Sequence, residues 1–134
     1  MNLYNRLLPW FPPVLWMAII FTFSSFQAAH TTATYWPDFV FKKTIHVTEY
    51  SILWWLLLRA CNSAFPKRSR LSNGITALII TILYAISDEL HQTFTPSREG
   101  TLRDVIIDSF GAGVSFWIYM SLRKFNYTSK FLNK

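Results

Sequence analysis

A single cysteine, Cys61, is all the chain holds in 134 residues, which excludes an internal disulfide and a thiolate metal cluster. Charge is scarce as well: Asp, Glu, Lys and Arg make up 15%, against 51% hydrophobic and 18% aromatic residues. A soluble domain of this length cannot hide so much apolar surface, and the apolar residues come in runs rather than alternating. The class is an integral membrane protein of one domain at most. Acids are few: 7 against 13 Lys and Arg, for a net charge of +6. The bases sit in gaps between apolar runs instead of forming a stripe, which reads as topology and leaves nucleic acid out as a partner. No repeat and no low-complexity tract is found. Nor is there a clean small-residue cleavage site, because Phe26-Gln27 follows Ser24-Ser25. The N-terminal run is therefore expected to be a retained helix, not a removed signal peptide.

Four apolar runs predict an all-α, polytopic bundle of four transmembrane helices, at about residues 7–26, 43–61, 75–92 and 102–122. Each approaches the roughly 20 residues needed to cross the hydrocarbon. The first opens with Pro9, Pro12 and Pro13, tolerated in early turns, and Trp10 and Trp16 suit an interfacial belt. Ala28 to Phe41 reads as a polar, aromatic loop, Asn62 to Asn73 as a basic loop, and Thr93 to Gly100 as a short loop. Arg6, Arg59, Lys67, Arg68, Arg70, Arg123, Lys124, Lys130 and Lys134 fall on one side. Lys42, Lys43, Arg98 and Arg103, accompanied by acids, fall on the other. The positive-inside rule then places both termini in the cytoplasm.

The third run ends in Ser87-Asp88-Glu89-Leu90-His91-Gln92, far more polar than an apolar segment requires. At about 1.5 Å per residue, Asp88 lies roughly 20 Å in from the cytoplasmic side, Glu49 roughly 9 Å down from the outer side, and Asp108 about one turn below Asp104. Three helices thus carry ionisable groups at one level. Their faces are consistent with this. Lys43, His46, Glu49 and Tyr50 share one side of the second helix; Tyr84, Asp88, His91 and Gln92 one side of the third; Asp104, Asp108, Gly111 and Ser115 one side of the fourth. Since a charge at mid-membrane costs about 2.5–3.5 kcal/mol, these groups are expected to be paired or to share one outward-facing polar pocket.

Plainer readings compete residue by residue. Thr101-Leu102-Arg103-Asp104 is a capping box opening the last helix. Glu89 points off the Asp88 face, toward headgroups. Lys42 and Lys43 mark an interface, His46 makes a helix–helix hydrogen bond, and Ser24-Ser25 softens a helix end. Asp88, His91 and Asp108 have no such ready structural explanation.

At these residues the chain resembles the VanZ-like family. The matching pieces are Phe23-Ser24-Ser25-Phe26-Gln27, Lys43-x-x-His46 with Glu49-Tyr50, Asp88-Glu89-x-His91-Gln92-x-Phe94, Pro96-x-Arg98 and Asp104-x-x-x-Asp108-x-x-Gly111. The resemblance spans nearly the whole chain. It departs from the family where Phe26 separates the serine pair from Gln27. It implies a multi-pass protein of the bacterial plasma membrane with a cell-envelope role, and possible involvement in lowered sensitivity to the lipoglycopeptide teicoplanin. It carries over no catalytic residues.

Four chemistries fit. In the first, Lys43, His46, Glu49, Gln92, Arg98 and Arg103 bind or help modify an anionic lipid headgroup, a lipid-linked cell-wall precursor or a lipoglycopeptide. In the second, an enzyme acts on lipid or isoprenoid phosphates, with His91, Asp88, Asp104 and Asp108 as catalytic candidates. Ser97-Arg98, Asp104 and Asp108 have the spacing of a lipid-phosphatase motif, but Asp104 stands where those enzymes place a nucleophilic histidine. In the third, a divalent metal sits among His46, Glu49, Asp88, His91 and Asp108, pairs of which lie one helical turn apart. The fourth is a proton-coupled transporter.

Overall fold

The computed structural model describes residues 3–25, 36–95 and 100–132. All regular structure among them is helical: α1 (Leu3–Leu7), a 3-10 turn (Leu8–Trp10), α2 (Phe11–Ser25), α3 (Trp36–Ala64), α4 (Arg70–Gln92) and α5 (Leu102–Leu132). The 3-10 turn and α2 form one span, jointed at Pro9 and followed by Pro12 and Pro13 in the first turn, where a missing N–H leaves no bond unmade.

The helices are longer than their apolar cores. α3 starts at Trp36 inside the stretch read as loop, with Pro37 in its first turn, and runs on to Ala64. α4 starts at Arg70 because Ser69 caps it, its side chain accepting from Ser72 N at 3.0 Å. α5 continues to Leu132 because no glycine or proline interrupts it after Gly113. Hydropathy marks where a helix meets lipid; caps and breakers mark where it ends.

Three stretches, Leu8–Ser25, Arg70–Gln92 and Leu102–Lys124, are long and apolar enough to cross a membrane. α3 is longer still, at 29 residues, but Lys42, Lys43, Glu49 and Arg59 dilute its apolar character. It is the central helix, packed against α5, α4 and α2. Tyr50 and Trp54 project from it, both fully buried, together with Leu53 and Leu57. They fit because the facing stripe of α4 is small, Gly74, Ala77, Thr81 and Ala85, as is that of α5, Gly111, Ala112 and Ser115. Trp54 Nε1 reaches Gly74 O at 3.3 Å, and Ser51 Oγ reaches Gly111 O at 2.9 Å. A Cβ at Gly111 would overlap the Val47 carbonyl oxygen, so only glycine permits this approach.

The exterior inverts a soluble protein. Leu15, Phe21, Leu83, Ile86, Leu90, Ile106, Phe110 and Trp117 are exposed, whereas Asn73, Thr81, Asp88, Asp108 and Ser115 are buried. Apolar residues outward and polar ones inward is the arrangement a hydrocarbon solvent demands. The chain is an all-α polytopic membrane protein.

Candidate functional site

The small stripe of α4 ends in Asp88, whose carboxylate is 1% exposed and surrounded by neutral donors. Ser24 Oγ of α2 donates to Oδ1 at 2.6 Å. Tyr50 OH of α3 donates to Oδ2 at 3.3 Å, and Gln92 Nε2, one turn on, donates to the same oxygen at 3.1 Å. Three helices thus meet on one acid. Hydrogen bonds to a charged acceptor contribute about 1.5–3 kcal/mol each, enough together to hold a carboxylate away from water.

A second acid, Asp108 of α5, is equally buried and lies 3.5 Å from His46 Nδ1 of α3, an ion pair when the imidazole is protonated. Its Oδ2 has no hydrogen-bond partner among the described residues. One turn earlier, Asp104 accepts from Lys43 Nζ at 2.7 Å and from Arg103 Nε at 3.4 Å. Its backbone N–H meets Thr101 Oγ1 at 3.2 Å, so the N-cap half of the expected box forms, while the Asp104 carboxylate takes the ion pair and the Thr101 N–H goes elsewhere. Lys43 also lies within electrostatic reach of Glu89 and Asp108.

Glu89 does not face headgroups. It is 4% exposed, with Oε1 accepting from Gln92 Nε2 at 3.3 Å and Oε2 from Thr101 N at 3.0 Å. The chain folds back over the end of α4 so tightly that a Cβ at Gly100 would strike the Glu89 carbonyl. A helical wheel drawn on α4 alone could not show this, because the neighbour that buries Glu89 is the entry to α5. The sequence signal was Gly100 placed directly before a capping box.

His91 departs from the expected grouping. Its Nε2 lies 3.1 Å from Ser25 Oγ, and its ring stacks on Phe21 with centroids 4.3 Å apart. Its described partners are therefore on α2, while those of Asp108 are on α3. The catalytic arrangement in which Asp88 or Asp108 orients His91 is not seen among these contacts. The metal set is divided in the same way: no group of three or more His, Cys, Asp or Glu side chains among the described residues is disposed to hold an ion. Of its candidates His46 pairs with Asp108, Asp88 engages hydroxyls and an amide, and His91 turns to α2. Arg98, with Phe26 and Gln27, lies outside the described residues. Trp16 is not simply an interfacial ring either, since its Nε1 donates to Glu49 O at 3.0 Å and ties α2 to α3.

Beside this network, between α2 and α3, opens a cavity of about 420 Å³. Ile20, Phe23 and Ile45 form its apolar wall; Lys42, His46, Glu49 and Ser24 supply the polar one. Ser24 joins the two features, lining the cavity and bonding Asp88. Sequence reasoning missed Ser24 as a ligand of Asp88 and missed Lys42 as the base at the cavity.

The fold and this polar end define a multi-pass α-helical membrane protein with a buried acidic network open to an amphipathic cavity. A family model, VanZ/LLP1, matches residues 10–123, and the chain belongs to that family. No curated protein and no solved structure matches it.

Proposed function

We propose that the polar end of the bundle faces outward from a bacterial plasma membrane and binds an anionic amphiphile of the cell envelope. The observation that carries this reading is the two-sided lining of the cavity between α2 and α3. Lys42 suits a phosphate or carboxylate, Glu49 and Ser24 suit hydroxyls and amides, and Phe23 and Ile45 suit a hydrocarbon chain entering from the bilayer. A lipid-linked cell-wall precursor combines all three chemistries, and so does an acylated glycopeptide. Membership of the VanZ/LLP1 family supports the envelope setting and the finer reading, lowered teicoplanin sensitivity. The buried carboxylates hold the helices that shape the cavity and do not themselves meet the ligand.

The test fills the cavity. Ile45→Trp places a large ring in it, and Lys42→Gln removes its base. Binding of an isoprenoid-diphosphate-linked sugar to detergent-purified protein, read by native mass spectrometry, should fall about tenfold or more in each variant. Teicoplanin tolerance restored by the wild-type gene in a deletion strain should not be restored by Ile45→Trp. Undiminished binding in both variants would show that the ligand sits elsewhere.

A further inference from the structure

The opposite end of the bundle carries no acid at all. The seven acidic residues fall between positions 38 and 108, and none lies in 1–37, 50–87 or 109–134. Among the described residues, no Asp or Glu side chain therefore lies at that end beside its bases. Three of its bases also converge. A cavity of about 440 Å³ is lined by Arg6 from α1 and by Ala64, Phe65, Pro66, Lys67 and Arg68 from the end of α3 and the turn after it. The bases come from parts of the chain some sixty residues apart, so helix-end statistics alone do not bring them together.

The turn that presents Lys67 and Arg68 is fixed. Phe65 N bonds Cys61 O at 2.8 Å, and Arg68 N bonds Phe65 O at 3.1 Å. Asn73, 1% exposed, pins it from beneath, its Nδ2 donating to Asn62 Oδ1 at 3.0 Å and to Phe65 O at 3.4 Å. The Arg68 guanidinium sits over the Phe65 ring, 4.6 Å from its centroid, which orients its N–H groups. Cations on a held turn beside an apolar wall, at the end of membrane-spanning helices, match an anionic lipid: phosphate against the bases, glycerol and first methylenes against Phe65 and Pro66. Arg123 and Lys124 form a second basic group, but both come from one turn of α5, and Arg123 lies over the Tyr119 ring.

We propose that Arg6, Lys67 and Arg68 form a binding site for the phosphate headgroup of an anionic phospholipid, at the end of the bundle opposite the acidic network. The site is separate from the envelope-ligand cavity and does not depend on it.

Two variants of equal charge test this in detergent-purified protein, with phosphatidylglycerol and phosphatidylcholine as probes and lipid retention read by native mass spectrometry. One carries Arg6→Gln, Lys67→Gln and Arg68→Gln; the other Arg59→Gln, Arg123→Gln and Lys124→Gln. The first should lose its preference for phosphatidylglycerol by about tenfold or more, the second by less than about threefold. Helicity by circular dichroism checks both for folding, and Lys67→Gln alone, at an exposed position, should give a partial loss if the triple variant fails to fold. Equal losses in the two triple variants would reduce the effect to diffuse surface charge and overturn the proposal. So would equal retention of the two lipids by wild type, or retention of inorganic phosphate without any of phosphatidylglycerol, which would mark a site for a free oxyanion.

Discussion

Asp88 is the residue on which most of the polar end depends. It is buried, it accepts from α2, α3 and its own helix, and no described ion pair compensates it. Removing one donor leaves part of the carboxylate unsatisfied in a medium without water. Ser24→Ala is therefore expected to lower stability by about 1–3 kcal/mol. Asp88→Asn turns an acceptor into a group that must also donate, against three neighbours that already donate, and should lower it by a similar amount. Because the two residues share one bond, the double variant should fall short of the sum by about 0.5–3 kcal/mol. Unfolding of detergent-solubilised protein measures all three, and strict additivity would mean that the Ser24–Asp88 bond contributes nothing. Asp88 and Asp108 were legible in the sequence because an acid interrupts an apolar run. Ser24 was not: a hydroxyl barely disturbs hydropathy, and its partner is 64 positions away. His91 was legible as polar but misplaced, because a helical wheel gives a direction and not the identity of the neighbour that occupies it. α4 has α2 on one flank and α3 on another, and the ring meets α2.

Among the elements, α3 and α5 pack backbone to backbone at one glycine, and two glycines of α5 separate packing from propensity. Gly111 lies against the backbone of α3, where a Cβ would overlap Val47 O and come within 3.1 Å of Ser51 Oγ. Gly113, two residues on, has nothing within 4 Å of its would-be Cβ. Gly111→Ala must push the helices apart and should cost about 1–3 kcal/mol. Gly113→Ala meets open space and gains helix propensity, so it should be neutral or stabilise by up to about 1 kcal/mol. Thermal unfolding of the two variants side by side decides it, and a matching loss at Gly113 would mean that glycine serves α5 by flexibility instead of proximity. The small face of α5 with Gly111 and Ser115 could be read from sequence as allowing close approach, whereas the stripe of Gly74, Ala77, Thr81 and Ala85 on α4 was hidden in a β-branched, leucine-rich run. What the two faces admit, Tyr50 and Trp54 of α3, could not be read, since the order of helices around α3 is a property of the bundle. Helix ends were legible only where the cap was weighed above hydropathy: Thr101 opened α5 where expected, while Ser69, a cap of the same kind, was passed over inside a basic loop.

For the molecule as a whole, charge is divided along the bundle axis. Lys67, Arg68 and Arg70 follow α3 and open α4, Arg123 and Lys124 lie far along α5, and Arg6 lies in α1. The acids Glu49, Asp88, Glu89, Asp104 and Asp108 all gather toward the other end, where Lys43 and Arg103 pair with Asp104. The positive-inside rule counts lysines and arginines near the helix ends, and the larger set, at the end away from the acids, governs insertion. Taking α3 as a fourth crossing beside the three apolar spans, an even number returns both termini to the side they started from. Both termini and the 65–69 turn are therefore expected to face the cytoplasm, with the Lys42–Glu49 cavity toward the outside. A reporter fused after Lys134 that fluoresces only in the cytoplasm should be bright, and one active only beyond the membrane should be silent. Substituting Cys61 by alanine gives a cysteine-free background, in which a cysteine at Lys67 should resist a membrane-impermeant maleimide in intact cells and one at Lys42 should react. The reverse labelling would place the basic cavity outside and the acidic network inside, and the envelope-ligand reading would lose its access to the cell surface. The two results are linked through the bundle itself: inverting the charge balance by adding several lysines near Trp36, while neutralising Lys67, Arg68 and Arg70, should flip both labels together, because α3 and α4 are packed as one unit and cannot reorient singly.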